Sequence, residues 1–214
     1  IDYSERVVFY KFNLNGNEIY RFCQQALENN VTDKRNLRVN CLKKGKNDSR
    51  IFYVEGNSYT ANFIPMLNEI NINDDIYYSH KALPLENTNF ELINNLKNIY
   101  KDVVYTTNIN DLTSLNKLID MQKRFNRNIK ILILGPVPII NKNIEPLKCF
   151  IRNVDCEFTT DIDKINSRSL TIKIEEIVVD NKKFSYFNPY DSICPTRVCK
   201  VFDKKNNLLT HRDN

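Results

Sequence analysis

The chain of 214 residues has only two histidines and four glycines, and it has no tryptophan. Its six cysteines form no Cys-x-x-Cys pair, so a zinc site has few candidate ligands, and we predict no metal and no cofactor. No apolar run approaches the roughly 18 residues that a membrane-spanning helix needs, and the first residues lack the charged-then-apolar pattern of a signal peptide. The sequence therefore predicts a globular domain.

The charge of the chain is moderately basic. The formal net charge is +5, but the lysines are scattered and the acidic residues are interleaved with them. The densest basic stretch, Lys43-Lys44-Gly45-Lys46, is typical of a solvated loop rather than of a nucleic-acid patch. We therefore predict no nucleic-acid partner.

The cysteines fall into pairs that are close together in the sequence. Each pair would close a short loop, which favours three disulfides and an oxidising compartment. The alternative is a set of buried free thiols, which is common for unpaired cysteine. The predicted disulfides are Cys23–Cys41, Cys149–Cys156 and Cys194–Cys199.

A strand, a tight turn and a helix are predicted around Ser58. Residues 51–54 are β-branched or aromatic and end at Gly56-Asn57-Ser58, and apolar residues then recur at helical spacing from Phe63 to Ile70. A helix N-terminus favours an anion, including the oxyanion of an acyl-transfer intermediate, so Ser58 is a candidate nucleophile. Alternatively, Ser58 is an ordinary N-cap in a structural turn.

Strands and helices continue to alternate along the chain, which favours right-handed crossovers and a mainly parallel sheet. We predict a three-layer α/β/α sandwich with five strands in residues 50–214, and an extension packed on this domain in residues 1–49. The predicted strands cover residues 51–54, 75–79, 102–107, 128–134 and 184–187, and the predicted helices follow at about 63–70, 90–100, 112–121 and 161–179.

The ligand crevice of such a sheet lies at the carboxyl ends of its strands. Ser58, Thr107, Asn108 and Pro136 each follow or end a predicted strand, so we expect them to lie close together. Tyr59, Tyr105 and Tyr186 are candidates for stacking on a sugar face in that crevice.

The ordered set of segments resembles the SGNH (GDSL-type) hydrolase superfamily, most closely the extracytoplasmic SGNH domain fused to membrane acyltransferases of family three. The resemblance covers about residues 20–214. It rests on Gly56-Asn57-Ser58, Leu132-Ile-Leu-Gly-Pro-Val-Pro138, Phe187-Asn-Pro-Tyr-Asp-Ser-Ile-Cys-Pro195 and Leu208-Leu-Thr-His-Arg-Asp213.

The resemblance implies a serine nucleophile at Ser58 and an oxyanion site formed by Ser58 and Asn108, with Asn110 as the rival of Asn108. The family has aspartate where this chain has Asn57, so one charge beside the nucleophile is missing. A glycine of the family's second block has no clear counterpart. We assign substrate contacts to Asn57, Tyr59, His80 and Asn110.

The family ends its active site with Asp-x-x-His, in which histidine is the general base. Asp213 matches the aspartate, and we expect the histidine just after residue 214. His211 is a candidate substitute for that base, although a packing or surface role is the more ordinary interpretation.

The resemblance implies an extracytoplasmic serine O-acyltransferase, of the O-acetyltransferase kind, that modifies a cell-envelope glycan through an acyl-serine. It also implies a membrane acyltransferase portion, N-terminal to this chain, that delivers the acyl group. Two alternatives remain open: a carbohydrate esterase, and a glycan-binding domain that has lost catalysis.

Overall fold

The structure is a computed structural model. It describes residues 41–46, 49–57, 60, 63, 67, 73–80, 85–86, 88–136, 157–159, 165–194 and 198–200. Within these ranges, no helix is both long and apolar enough to cross a membrane.

A six-stranded sheet lies at the centre of the described residues, in the order β1-β3-β2-β4-β5-β7. Strands β3, β2, β4, β5 and β7 run parallel, whereas β1 pairs with β3 in the antiparallel direction. A separate antiparallel pair is formed by β6 and β8. The strands are β1 (Leu42–Lys43), β2 (Arg50–Gly56), β3 (Asp75–His80), β4 (Asp102–Asn108), β5 (Ile129–Leu134), β6 (Glu157–Thr159), β7 (Phe184–Phe187) and β8 (Val198–Lys200).

Among the described residues, four helices have defined bounds: α1 (Phe90–Leu96), α2 (Leu112–Gln122), α3 (Ile165–Asp180) and α4 (Pro189–Ile193). Side-chain caps set where three of them begin. Asn89 accepts from the backbone N–H of Leu92 at 3.0 Å in α1, and Asp111 accepts from that of Ser114 at 2.7 Å in α2. Asn188 caps α4, which has Pro189 in its first turn, where the missing N–H costs no helical bond.

The five predicted strands are confirmed as β2, β3, β4, β5 and β7, and the predicted parallel sheet with them. The sheet has a sixth strand, because β1 joins it from the segment that we assigned to the extension. A strand of two residues is too short to show a period-two pattern, and β6 and β8 were missed for the same reason. Residues 1–40, 47 and 48 lie outside the described residues.

Tyrosine rings fill one face of the central strands. Tyr53 of β2 stacks on Tyr77 of β3 with ring centroids 5.4 Å apart, and on Tyr105 of β4 at 6.2 Å. All three rings are buried. Since side chains alternate between the faces of a strand, the pairing of Tyr53 with both neighbours in register places these rings in one row.

At the amino ends of the parallel strands, the buried carboxylate of Asp75 connects three segments of the chain. Asp75, at the start of β3, accepts from the Gly45 N–H at 2.8 Å and from the Tyr100 hydroxyl at 2.7 Å. Nearby, Arg50 lies 3.6 Å from both Asp74 and Asp102. The network holds the starts of β2, β3 and β4 together.

The disulfide predicted between Cys194 and Cys199 is confirmed, and it connects the end of α4 to β8. Cys41 is also disulfide-bonded. Its predicted partner Cys23, and the predicted pair Cys149–Cys156, lie outside the described residues.

Replacing Asp75 with alanine is expected to lower the free energy of unfolding by about 2–4 kcal/mol, because the Tyr100 hydroxyl and the Gly45 N–H both lose a charged acceptor. Urea unfolding measures the change. Asp120→Ala is the control, since Asp120 forms an exposed surface ion pair with Lys123 and its loss should change stability by less than about 1 kcal/mol. Equal losses in the two variants would contradict the role of Asp75.

Candidate functional site

The five parallel strands end at a common edge, which we call the carboxyl edge. Gly56, the last residue of β2, is in register with His80, the last residue of β3. Glu55 is in register with Thr107 of β4, and Asn108 with Leu134 of β5. The ends of β2, β4 and β5 therefore lie together, and with them two of the residues expected there, Thr107 and Asn108; Ser58 lies outside the described residues.

Strand order locates the crevice along this edge. The first parallel strand in the chain, β2, lies between β3 and β4, so the strand order reverses there: the chain goes from β2 to β3 on one side and then returns past β2 to β4 on the other. In open parallel sheets the ligand crevice forms at such a switch point, outside the carboxyl ends of the strands. The turn after Gly56 and the end of β4 at Asn108 flank it.

Gly56 permits a very close approach of the chain after the turn. A Cβ at position 56 would lie 1.9 Å from Thr60 Oγ1 and 2.5 Å from Thr60 Cβ, so no larger residue fits without a shift. Thr60 is itself fully buried, and the Phe63 N–H donates to its carbonyl at 3.1 Å. The Leu67 N–H donates to the Phe63 carbonyl at 2.9 Å, a helical bond that agrees with the predicted helix.

A tyrosine on the neighbouring strand contacts the turn itself. The hydroxyl of Tyr78 in β3 donates to the carbonyls of Gly56 and Asn57, at 3.0 Å and 3.1 Å. The ring of Tyr78 is buried. Tyr78 is in register with Val54, so its side chain extends along β2 to the point where strand pairing ends.

Asn108 connects two strand ends through its side chain. Its Nδ2 donates to the carbonyls of Leu134 and Gly135, at 3.0 Å and 2.7 Å, and the residue is 3% exposed. An amide nitrogen has two hydrogens, and both are engaged here. Its Oδ1 is buried and has no hydrogen-bond partner among the described residues. Asn108 therefore fastens β4 to the loop after β5.

A second buried carboxylate lies one residue before Gly56. Glu55 is fully buried, and its Oε1 accepts from the hydroxyls of Thr88 at 2.7 Å and Tyr105 at 3.0 Å. Thr88 immediately precedes the N-cap of α1. The carboxylate thus ties the end of β2 both to the start of α1 and to β4.

The pKa of Tyr105 is raised well above its ordinary value of 10.0, chiefly because the ring is desolvated and also because the negative charge of Glu55 lies close. Tyr105 therefore remains a neutral hydrogen-bond donor to Glu55.

The loop after β5 is held against β7. The Gly135 N–H donates to the Phe187 carbonyl at 2.9 Å, and a Cβ at position 135 would lie 2.7 Å from Tyr186 Oη. Partial burial raises the pKa of Tyr186. The end of β7 thus closes the carboxyl edge on the side of Asn108.

The structure describes part of the predicted site. It brings Asn57 and Asn108 to the carboxyl edge, and Asn110 lies exposed between β4 and α2. The backbone of His80 ends β3 beside Gly56. Four predicted site residues lie outside the described residues: Ser58, Tyr59, His211 and Asp213.

The prediction that Tyr105 stacks on a sugar is wrong. Tyr105 has no exposed surface, because its ring packs between Tyr53 and Phe125 and its hydroxyl contacts Glu55. Alternation along β4 places Tyr105 in the same row as buried Val103, and only the last residues of the strand reach the edge.

Sequence reasoning missed Glu55 and Tyr78. Glu55 carried a signal, since a single carboxylate at the end of an apolar strand, directly before a glycine turn, requires buried partners. No sequence signal marked Tyr78, because the adjacent Tyr77 and Tyr78 both have the pattern of ordinary core aromatic residues in a strand.

Comparison with known proteins gives no match, whether with protein-family models, with curated proteins or with solved structures. Among the described residues, no group of three or more histidine, cysteine, aspartate or glutamate side chains could hold a metal ion.

The variant Gly56→Ala is expected to lose about 1–3 kcal/mol of stability, because the added methyl group overlaps Thr60. Thr60→Ala removes two of the three closest atoms, and Thr60 Oγ1 has no hydrogen-bond partner in the described part of the chain. The double variant should therefore recover part of the loss in thermal unfolding. If the double variant is no more stable than Gly56→Ala alone, the overlap with Thr60 is not the cause of the lost stability.

Stability above pH 10 is expected to depend on Tyr105. The unfolded tyrosine loses its proton near pH 10, whereas the folded one retains it, so the free energy of unfolding falls as the pH rises from there. Tyr105→Phe should reduce that slope by up to about 1.4 kcal/mol per pH unit. Urea titrations at pH 8 to 11 measure it, and identical slopes would contradict the raised pKa.

Proposed function

We propose that this chain is a serine O-acyltransferase domain of the SGNH type, with the three-layer α/β/α arrangement of that superfamily. Ser58 accepts an acyl group, of which acetyl is the commonest in such families, and passes it to a hydroxyl of a cell-envelope glycan. The proposal combines the sequence resemblance with the geometry of the carboxyl edge.

One observation carries most of the support. The two residues directly before Ser58 are fixed at the switch point of the sheet, by the Tyr78 hydroxyl and by the close approach of Thr60 to Gly56. A nucleophile needs such a fixed backbone, because misplacement by about 1 Å costs on the order of a hundredfold in rate. A surface turn in which serine only caps a helix does not require buried hydrogen bonds to hold its backbone.

In the proposed reaction, the Ser58 hydroxyl attacks the acyl carbonyl and gives its proton to a histidine oriented by Asp213. The carbonyl oxygen becomes an oxyanion held by backbone N–H donors, and the leaving group departs with a proton from the histidine. A sugar hydroxyl then attacks the acyl-serine and loses its proton to the same base, and the Ser58 oxygen departs with a proton from that base as the sugar ester is released. With water as the acceptor, the same steps describe an esterase.

We further propose an extracytoplasmic location, with the acyl donor delivered by a membrane acyltransferase portion. The disulfide between Cys194 and Cys199 supports an oxidising compartment, where structural disulfides persist.

A glycan-binding domain without catalysis is the second candidate, and one observation favours it. Both amide hydrogens of Asn108, our predicted oxyanion donor, are engaged by backbone carbonyls. Asn108 can donate to an oxyanion only if one of these two hydrogen bonds breaks. Stabilisation of the oxyanion would therefore depend on other N–H donors.

Replacing Ser58 with alanine is expected to abolish glycan acylation by the protein that carries this chain, with the unfolding transition unchanged, because the acyl group has no acceptor oxygen. Ser185→Ala, an exposed serine of β7, is the matched control and should retain full activity. Mass spectrometry of the glycan measures acylation. Retained acylation in Ser58→Ala would eliminate the acyl-serine mechanism.

Two incubations separate transfer from hydrolysis. An acylated glycan should remain intact with a transferase and lose its acyl groups with an esterase. A bare glycan with an activated acyl ester should gain acyl groups only with a transferase. A binding domain would alter neither substrate.

A further inference from the structure

Two side chains at the ends of β2 and β4 contain buried polar atoms that the rest of the described structure does not pair. Thr60 has no exposed surface, and Asn108 is 3% exposed. Thr60 Oγ1 and Asn108 Oδ1 have no hydrogen-bond partner among the described residues. Buried polar atoms of native proteins are nearly always paired, either with the protein or with ordered water. These two atoms therefore indicate a binding site.

Both atoms lie on the same face of the sheet. A Cβ at Gly56 would overlap Thr60 Oγ1, so this hydroxyl lies directly over Gly56. Glu55 is in register with Thr107, which makes Gly56 and Asn108 the next neighbours on two parallel strands. Such neighbours direct their side chains to one face, and their strands are about 4.8 Å apart. The Thr60 hydroxyl and the Asn108 side chain are therefore adjacent.

The orientation of the Asn108 amide follows from its other contacts. Its Nδ2 lies 3.0 Å from the Leu134 carbonyl oxygen and 2.7 Å from that of Gly135. Only a donor can bond to carbonyl oxygens, so the nitrogen and not Oδ1 faces them. Both carbonyls belong to the end of β5, and β2 lies on the other side of β4. Because Oδ1 diverges from Nδ2 at the amide carbon, it is directed away from β5.

Apolar side chains make up the surroundings of the two atoms. Leu134 is in register with Asn108 and so lies on the same face, where it packs against Phe63. Phe63 follows Thr60 by three residues and donates its N–H to the Thr60 carbonyl at 3.1 Å. A polar atom in such surroundings is costly unless it has a partner.

We infer that an ordered water molecule binds between Thr60 Oγ1 and Asn108 Oδ1 and connects the segment after β2 to the end of β4. Water has the required chemistry, since it donates to Oδ1, which can only accept, and it donates to or accepts from the hydroxyl. The hydroxyl of Thr106, two residues before Asn108 and on the same face, is a third buried group without a partner among the described residues. Buried waters typically make about three hydrogen bonds. The inference does not depend on the proposed function.

Thermal unfolding of Thr60→Ser and Thr60→Ala gives the first test. Both variants remove the methyl group, neither adds bulk beside Gly56, and they differ from each other by the hydroxyl alone. A hydroxyl that binds water stabilises the fold, so Thr60→Ser should melt about 2–4 °C above Thr60→Ala. A Thr60→Ala variant that melts at or above Thr60→Ser would overturn the inference, because a buried hydroxyl without a partner is better removed.

The matched controls are Thr88→Ser and Thr88→Ala. The Thr88 hydroxyl is also buried, but its partner is a protein group, since it donates to Glu55 Oε1 at 2.7 Å. The serine variant should again melt above the alanine variant, by at least as much as at position 60, because the acceptor is a carboxylate.

A high-resolution crystal structure of the protein locates the molecule directly. We expect electron density for a water oxygen about 2.7–3.2 Å from both Thr60 Oγ1 and Asn108 Oδ1. A direct hydrogen bond between the two side chains would overturn the inference, and so would protein atoms bonded to both of them or a lack of density between them.

Discussion

The register of β2 between β3 and β4 is the constraint on which the rest of the carboxyl edge depends. A shift of one residue would turn Glu55 and Tyr105 to different faces and would move Tyr78 away from the turn. The row of tyrosines opposes such a slip, since Tyr53 has stacked rings on both sides. The positions of side chains at the carboxyl edge therefore depend on the stacked rings in the middle of the sheet.

Two buried carboxylates stabilise the two ends of the same strands. Asp75 holds the starts of the strands and Glu55 holds their ends, each with hydroxyl or amide donors from other segments. A buried carboxylate is costly unless it has such partners, so each selects one arrangement of the segments around it. The turn before Ser58 is consequently fixed from β3, from α1 and from its own following residues.

Sequence reasoning found the five parallel strands because long apolar runs between helical patterns leave little ambiguity. It placed Thr107 and Asn108 at the carboxyl edge, since strand ends follow from strand bounds. It could not assign what each side chain does there. The Asn108 amide, the Tyr78 hydroxyl and the burial of Tyr105 all depend on partners 20 or more residues away in the chain, which periodicity does not reveal.

The stacked tyrosines also give the chain an internal optical reporter. With no tryptophan among its residues, absorption above about 270 nm comes mainly from tyrosine, and rings held in fixed mutual orientation couple their transitions. The near-ultraviolet circular dichroism of this protein therefore includes a contribution from the packing of Tyr53 against its neighbours at the centre of the sheet, without any added label.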